Sequence, residues 1–305
     1  MTSPLRRIAT ATVARLALAL AVAVAVACAG CAHPGTSALN AFAALRGHQA
    51  GTGLAYGPLE RQRFDLYRPA AAPGAGASPL VVFVYGGSWS SGERADYRFA
   101  GEALAAQGFT VMVVDYRVYP DVRYPDFLQD CARATGYALE HAAAFGADPK
   151  RVFLYGHSAG AYNAAMLALD PRWLRAVGHA PGELAGWIGL AGPYNFLPIG
   201  DPQARLVFDW PRTTPDTQPI NHVGDLAQAV PTFLGAAIGD PTVVPERNTE
   251  PLARRLRARG TPLEERLYER VNHATLVGAL AFPLTPLAPV LEDTAEFIRT
   301  TPPAR

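Results

Sequence analysis

Four runs of consecutive apolar residues constrain the fold of this chain more than any other feature. None of the four alternates with polar residues, which is typical of a strand buried on both faces. Helical patterns near 96–107, 126–145 and 161–169 separate them, and alternating strands and helices predict a mostly parallel, doubly wound sheet with helices on both faces. The apolar runs occupy residues 80–85, 111–114, 152–155 and 187–190.

Three further segments extend this sheet. Residues 60–67 alternate polar and apolar side chains, which predicts an exposed antiparallel edge strand. Residues 231–237 and 263–268 are two later strand candidates. Ligands of parallel sheets bind beyond the carboxyl ends of the strands, so we expect functional residues directly after each strand.

The segment Gly156-His157-Ser158-Ala159-Gly160 lies between a buried strand and a helix. It matches Gly-x-Ser-x-Gly, the nucleophile elbow, in which a tight turn exposes the serine hydroxyl and only glycine-sized neighbours allow the backbone to approach. Ser158 is therefore the candidate nucleophile. The amide of Ala159, together with Gly86 or Gly87 after the first buried strand, is the candidate oxyanion hole.

The base is expected near the C-terminal end, in a loop after a late strand. Of the seven histidines only His273 meets this requirement. The acid is expected between the serine and the histidine, after a strand, which favours Asp240, with Glu246 and Asp225 as competitors. Asp115 and Arg117 flank another turn after a strand and are interpreted as a structural ion pair.

These residues, with several segments around them, resemble the α/β-hydrolase carboxylesterases related to hormone-sensitive lipase. The resemblance spans about residues 60 to 299 and is strongest to the group of feruloyl and acetylxylan esterases, kynurenine formamidases and prenylcysteine methylesterases. Many members have histidine where this chain has Tyr85, although the prenylcysteine methylesterases resemble it there. The segments that carry the resemblance are Gly-Gly-x-Trp at 86–89, Asp115-Tyr116-Arg117 with Tyr124-Pro125, residues 146–152, and Asn272-His273 with 276–278.

The resemblance implies an α/β-hydrolase fold with a short lid-like insertion, expected at residues 194–225, and hydrolysis of a small-molecule ester through an acyl-enzyme on Ser158. Trp89, Tyr162 and Tyr194 are candidate substrate-binding residues, although each is equally well read as part of the core. Two alternatives stay open: an aryl formamidase that hydrolyses amides, and a binding protein that kept the fold and lost the chemistry. A peptidase is disfavoured, because such relatives usually have an extra domain.

The balance of 27 Lys+Arg against 26 Asp+Glu, without a basic run, argues against nucleic acid as a partner. No metal site is predicted, because only Cys28 and Cys31 have ligand-like spacing and they lie in the N-terminal region. The expected mechanism needs no cofactor. The sequence does not predict an oligomeric state.

Residues 1–31 have the order of an export signal: Arg6 and Arg7, an apolar stretch, then small residues. Ala29-Gly30 before Cys31 resembles the lipobox of bacterial lipoproteins, although Cys28 stands where an aliphatic residue is usual. We expect lipidation of Cys31 and attachment to the bacterial cell envelope, in the periplasm or at the outer membrane; ordinary secretion and an uncleaved anchor are the alternatives. The predicted organisation is signal 1–31, linker 32–55 and catalytic domain 56–301.

Overall fold

The computed structural model describes residues 34–70, 76–225 and 229–304. The predicted export signal and Cys31 lie outside these residues. Within them the chain forms eight strands and nine α-helices. The strands are β1 (Gln49–Ala55), β2 (Arg63–Tyr67), β3 (Ser78–Val84), β4 (Thr110–Val114), β5 (Ala147–His157), β6 (Gly186–Leu190), β7 (Thr232–Ala237) and β8 (Leu263–Tyr268). The helices are α1 (Pro34–Ala43), α2 (Arg98–Ala106), α3 (Asp126–His141), α4 (Ala159–Leu169), α5 (Pro171–Arg175), α6 (Pro202–Val207), α7 (Thr249–Ala258), α8 (His273–Gly278) and α9 (Val290–Thr300).

The described strands form one sheet in the order β1-β2-β4-β3-β5-β6-β7-β8. Among the described strands only the β1–β2 and β2–β4 pairs are antiparallel. The six strands β4, β3, β5, β6, β7 and β8, in their order across the sheet, run parallel. All four apolar runs are buried in this sheet, and helices cover both of its faces. The prediction of a mostly parallel, doubly wound sheet is thus confirmed.

The prediction of an edge strand at residues 60–67 was wrong. The strand begins at Arg63 and lies inside the sheet, because β1 pairs with its outer side. Its polar residue Asp65 is buried and accepts hydrogen bonds from the Gly53 amide (2.8 Å) and from Nε of Arg94 (2.8 Å). Alternation in the sequence therefore marks a satisfied buried carboxylate here and not an exposed face.

Much of the segment predicted as a linker, residues 32–55, is regular structure. It contains α1 and β1, and Leu39 and Ala43 of α1 are buried in the core. The Asn40 side chain fixes α1 to the start of α2 by donating to the Ala95 carbonyl (2.8 Å) and accepting from the Phe99 amide (2.9 Å). Small residues here favour close packing of the helix and do not indicate a spacer.

No helix in the described ranges is long and apolar enough to cross a membrane. The described residues likewise hold no cluster of three or more histidine, cysteine, aspartate or glutamate side chains that could bind a metal ion.

Candidate active site

Ser158 lies at the sharp turn between β5 and α4. Its backbone has φ 55° and ψ −123°, a strained conformation for a residue with a side chain. The turn is so tight that a Cβ on Gly156 would lie 2.2 Å from the Gly160 carbonyl oxygen, and one on Gly160 would lie 2.0 Å from that of Val84. Only glycine fits at both positions, which explains the spacing of the motif.

His273 is the first residue of α8 and extends toward this turn. The preceding Asn272 caps the helix, because its side-chain oxygen accepts from the amides of Ala274 (3.1 Å) and Thr275 (2.9 Å). The cap fixes where the helix begins and therefore where the imidazole lies. Nδ1 of His273 is 2.7 Å from Oδ2 of Asp240, and Nε2 is 2.9 Å from Oγ of Ser158. With Nδ1–H donating to the carboxylate, Nε2 is free to accept the serine proton.

Asp240 lies in the turn after β7 and is only 2% exposed. Its second oxygen accepts hydrogen bonds from the amides of Thr242 (2.8 Å) and Val243 (3.1 Å), so both carboxylate oxygens have hydrogen-bond partners. Burial alone would raise the pKa of Asp240, but the hydrogen bond and charge of His273 and the two amides lower it below the usual value. The group is therefore ionised at neutral pH.

Neither competing acid takes this place. Oδ2 of Asp225 lies 2.6 Å from Nδ1 of His222, and Glu246 is exposed on the surface. The structure thus brings together Ser158, His273 and Asp240, which are up to 115 positions apart in the sequence.

The residues proposed for the oxyanion hole lie beside the nucleophile. A Cβ on Gly86 would lie 2.9 Å from that of Ser158, so the loop of Gly86 and Gly87 runs directly against the serine. Ala159 is the first residue of α4, where the amide has no partner within the helix. The Gly86-Gly87 loop and the start of α4 therefore both lie next to the nucleophile.

A buried polar network anchors Tyr85, the residue that precedes the Gly86-Gly87 loop. The Tyr85 hydroxyl donates to Oδ1 of Asp115 (3.0 Å) and accepts from Nη2 of Arg61 (2.8 Å). The guanidinium of Arg94 forms an ion pair with Asp115. Sequence reasoning paired Asp115 with Arg117, which was wrong, because Arg117 instead forms a two-pronged ion pair with Asp130 of α3. Partners from distant segments are not visible in a local pattern.

A cavity of about 530 Å³ opens over Ser158. One wall comes from residues 86–89, here called the oxyanion loop, and another from the predicted lid-like insertion at residues 194–225. The rest comes from the loop after Asp240. The lining residues besides Ser158 are Ser88, Trp89, Ala159, Pro193, Phe196, Ile199, Gly200, Asp201, Ala204, Pro241, Thr242, Val243, Val244, Arg247 and Asn248. Polar and apolar groups contribute almost equally to the cavity surface, and Asp201 and Arg247 are its charged residues.

Of the three predicted substrate-binding residues only Trp89 lines this cavity. Tyr162 and Tyr194 are fully buried and are not among the lining residues, so the structure places both rings in the core. The Tyr162 hydroxyl donates to the Thr217 carbonyl (2.8 Å), and its ring packs edge-on against Trp89 (centroids 5.1 Å apart). The lining residues that the prediction missed, such as Ile199 and Val243, lie in loops without a periodic pattern.

Comparisons with known protein families agree with this architecture. The model of the Prolyl oligopeptidase family matches residues 126–281, just over half of the chain. A second family model, BD-FAE, matches residues 64–178. The two matches together extend from β2 to β8 and include Ser158, Asp240 and His273.

Curated relatives include esterases from plants and bacteria. The isoprenylcysteine alpha-carbonyl methylesterase of Arabidopsis thaliana is 35% identical over 156 residues, which is 48% of this chain and 35% of that protein. An esterase of Mycobacterium tuberculosis is 28% identical over 221 residues, 67% of this chain and 54% of that protein. The chain thus spans between about a third and a half of the length of these two relatives.

A solved structure gives the same fold. A thermophilic esterase from Thermogutta terrifontis, a Planctomycetes species, superposes with a TM-score of 0.64 at 25% identity, over 80% of this chain and 90% of that one. A truncated carbohydrate esterase from gut microbiota superposes with a TM-score of 0.65 at 17% identity, over 82% and 95% of the two chains. The predicted α/β-hydrolase fold is confirmed.

Proposed function

Because the chain belongs to the prolyl oligopeptidase family of α/β-hydrolases, we propose that it is a serine hydrolase that cleaves carboxylic esters. The observation that carries the proposal is the series of hydrogen bonds from Ser158 through His273 to Asp240, with Ser158 lining an open cavity. The esterase relatives support the same reaction class.

In the acylation step Nε2 of His273 removes the Ser158 proton as Oγ attacks the ester carbonyl carbon. The imidazolium that forms is stabilised by the ionised Asp240, which also holds Nδ1 in the protonated tautomer. The carbonyl oxygen becomes an oxyanion and binds the amide of Ala159 and one from the Gly86-Gly87 loop. His273 then protonates the leaving alcohol, and the acyl group stays on Ser158.

In the deacylation step a water molecule takes the position of the alcohol. His273 removes its proton, the resulting hydroxide attacks the acyl carbon, and the carboxylic acid leaves as Ser158 regains its proton. Because side chains and backbone amides perform every proton transfer and charge stabilisation in this scheme, the reaction uses no added cofactor.

We propose esters of small or medium acyl groups as substrates. Within the mixed lining, the apolar side chains of Trp89, Phe196 and Val243 suit an alkyl or aryl group, and the cavity volume is that of a typical small-molecule site. A propionate-bound structure of the Thermogutta terrifontis esterase, 25% identical to this chain, is consistent with short acyl groups in this fold.

The test is hydrolysis of p-nitrophenyl acetate, butyrate and octanoate by the purified protein, with Ser158→Ala and His273→Ala beside it. We expect turnover by the parent and a loss on the order of a million-fold in kcat in either variant, as for a nucleophile or base that acts as part of a unit. Ser78→Ala is the matched control, since this serine lies at the start of β3, the end of the strand away from Gly86, where its hydroxyl bonds to that of Thr110 (2.7 Å).

Two outcomes would overturn the assignment. Ester hydrolysis that survives in the Ser158→Ala protein would mean that another group attacks the ester. A folded parent that is inert on all three esters but hydrolyses an aryl formamide would move the reaction to the amide class.

We further propose that the chain is exported and lipidated at Cys31, on the basis of the N-terminal sequence alone. The full chain, expressed in a bacterium that processes lipoproteins, should label with radioactive palmitate and sediment with membranes. Cys31→Ser should lose the label, whereas Cys28→Ser should keep it. A Cys31→Ser protein that is still labelled would contradict the proposal.

A further inference from the structure

His157 is a buried histidine that the proposed mechanism does not use. It is the last residue of β5, immediately before Ser158, and is 5% exposed. Nε2 of His157 lies 2.9 Å from the backbone carbonyl oxygen of His273, and the two rings are 5.0 Å apart. One side chain thus joins the strand that carries the nucleophile to the residue that carries the base.

The contact fixes the protonation of His157. A carbonyl oxygen can only accept, so Nε2 must carry the proton and donate it. Burial is the main cause that lowers the pKa of His157, to about 3, and the positive charge of a protonated His273 lowers it further. The hydrogen bond to the His273 carbonyl and the negative charge of Asp240 offset part of this shift. The ring is therefore neutral at working pH and Nδ1 is unprotonated. During the proposed reaction only the His273 imidazole therefore becomes charged, and the His157 imidazole stays neutral.

The other side of the His157 ring faces the oxyanion loop. A Cβ on Gly86 would lie 3.2 Å from Nδ1 and 3.0 Å from the His157 carbonyl oxygen, so the ring packs directly under the loop. Nδ1 has no hydrogen-bond partner among the described residues. The ring is thus held at this place by its Nε2–H bond and by packing. The ring therefore contacts both the backbone of His273 and the loop of Gly86 and Gly87.

We propose that His157 is a positioning residue for His273. By donating Nε2–H to the His273 carbonyl it fixes the start of α8, so that the catalytic imidazole stays within reach of both Ser158 and Asp240. This inference rests on the proposed ester hydrolysis. His157 contacts no substrate and exchanges no proton.

The experiment uses the full chain with two substitutions at this position. His157→Gln keeps an N–H donor at similar reach, whereas His157→Met has similar bulk and no donor. We expect His157→Met to lower kcat by about 10- to 100-fold with KM nearly unchanged, because a displacement of about 1 Å in a reacting group can cost about 100-fold. His157→Gln should recover most of this loss. His141→Met is the matched control: this half-buried histidine stacks on Tyr137 at the end of α3, and its loss should leave kcat unchanged.

A double-mutant cycle separates positioning from general damage. If His157 acts through His273, the His157→Met change should have no further effect on the residual hydrolysis of a His273→Ala protein. Losses that multiply in the double variant would overturn the inference, as would a His157→Met protein with the kcat of the parent. The proposed function fails by a different result, namely ester hydrolysis at the rate of the parent in the Ser158→Ala or His273→Ala protein.

Discussion

Replacing His157 by glutamine should make the folded protein less sensitive to acid. In the unfolded chain a histidine has its ordinary pKa of about 6.5, whereas burial lowers the pKa of His157 to about 3 in the folded protein. Between these two values the unfolded chain binds a proton that the folded chain does not. The free energy of unfolding therefore falls as the pH is lowered from about 6.5 toward 3. The effect is absent above pH 7, where both states are neutral.

The size of the effect follows from the two pKa values. At pH 5 protonation of the unfolded chain lowers the free energy of unfolding by about 2 kcal/mol relative to neutral pH, and the full difference reaches about 5 kcal/mol below pH 3. Glutamine does not titrate, so this contribution disappears in the variant. Asp240 makes its own contribution in the acid range, since its lowered pKa stabilises the fold until pH falls through the folded value. That contribution is common to both proteins.

The measurement is urea unfolding followed by tryptophan fluorescence at pH 7.5 and pH 5.0 for the parent, His157→Gln and His141→Gln. The quantity of interest is the change in unfolding free energy between the two pH values. We expect this change to be smaller by about 2 kcal/mol in His157→Gln than in the other two proteins. An equal change in all three proteins would refute the argument, because it would mean that His157 is protonated in the folded state as readily as in the unfolded chain.

Three further perturbations follow from the site and its support. Asp240→Asn should lower kcat for p-nitrophenyl esters on the order of 10⁴-fold, because the amide cannot stabilise the His273 imidazolium or hold the imidazole in the required tautomer. A variant whose kcat is within about 10-fold of that of the parent would mean that another acid has this role. Phe208→Ala should lower the free energy of unfolding by about 3 to 5 kcal/mol in a urea titration, since the ring is 3% exposed and packs against Trp89 (4.8 Å) and Phe196 (5.2 Å); a loss below 1 kcal/mol would show that the site collapses around the cavity. Val244→Trp should narrow the cavity and lower kcat/KM about 10-fold more for the octanoate than for the acetate ester, and equal losses on both would place the acyl chain elsewhere.

Local sequence was sufficient wherever a feature depends on neighbouring residues. The apolar runs identified the buried strands, because a strand covered on both faces excludes polar side chains along its whole length. The glycines at 156 and 160 identified the elbow, because the turn leaves no room for a Cβ at either position. Chain order and the position after a strand were enough to select His273 and Asp240 from their competitors.

Features that depend on distant partners were misread. Asp65 was interpreted as the exposed side of an edge strand, and its burial depends on Arg94, 29 positions later, and on the strand β1 beside it. Asp115 was paired with its neighbour Arg117 and is instead paired with Arg94. For Tyr162 and Tyr194 the sequence left cavity and core equally open, and the structure places both rings in the core.

The buried strands and the elbow are encoded locally, because each depends on backbone sterics and hydrophobic burial over a few consecutive positions. Chain order and position after a strand then selected the three residues that form one series of hydrogen bonds. Which side chains line the cavity, and which ones support it, depends on contacts between segments that are far apart in the chain. His157 is an example. The motif Gly-x-Ser-x-Gly allows any residue at its position, and its proposed role depends on the carbonyl oxygen of His273, which is 116 positions away in the chain and 2.9 Å away in the fold. Burial then lowers the pKa of that imidazole, which no pattern in the chain records.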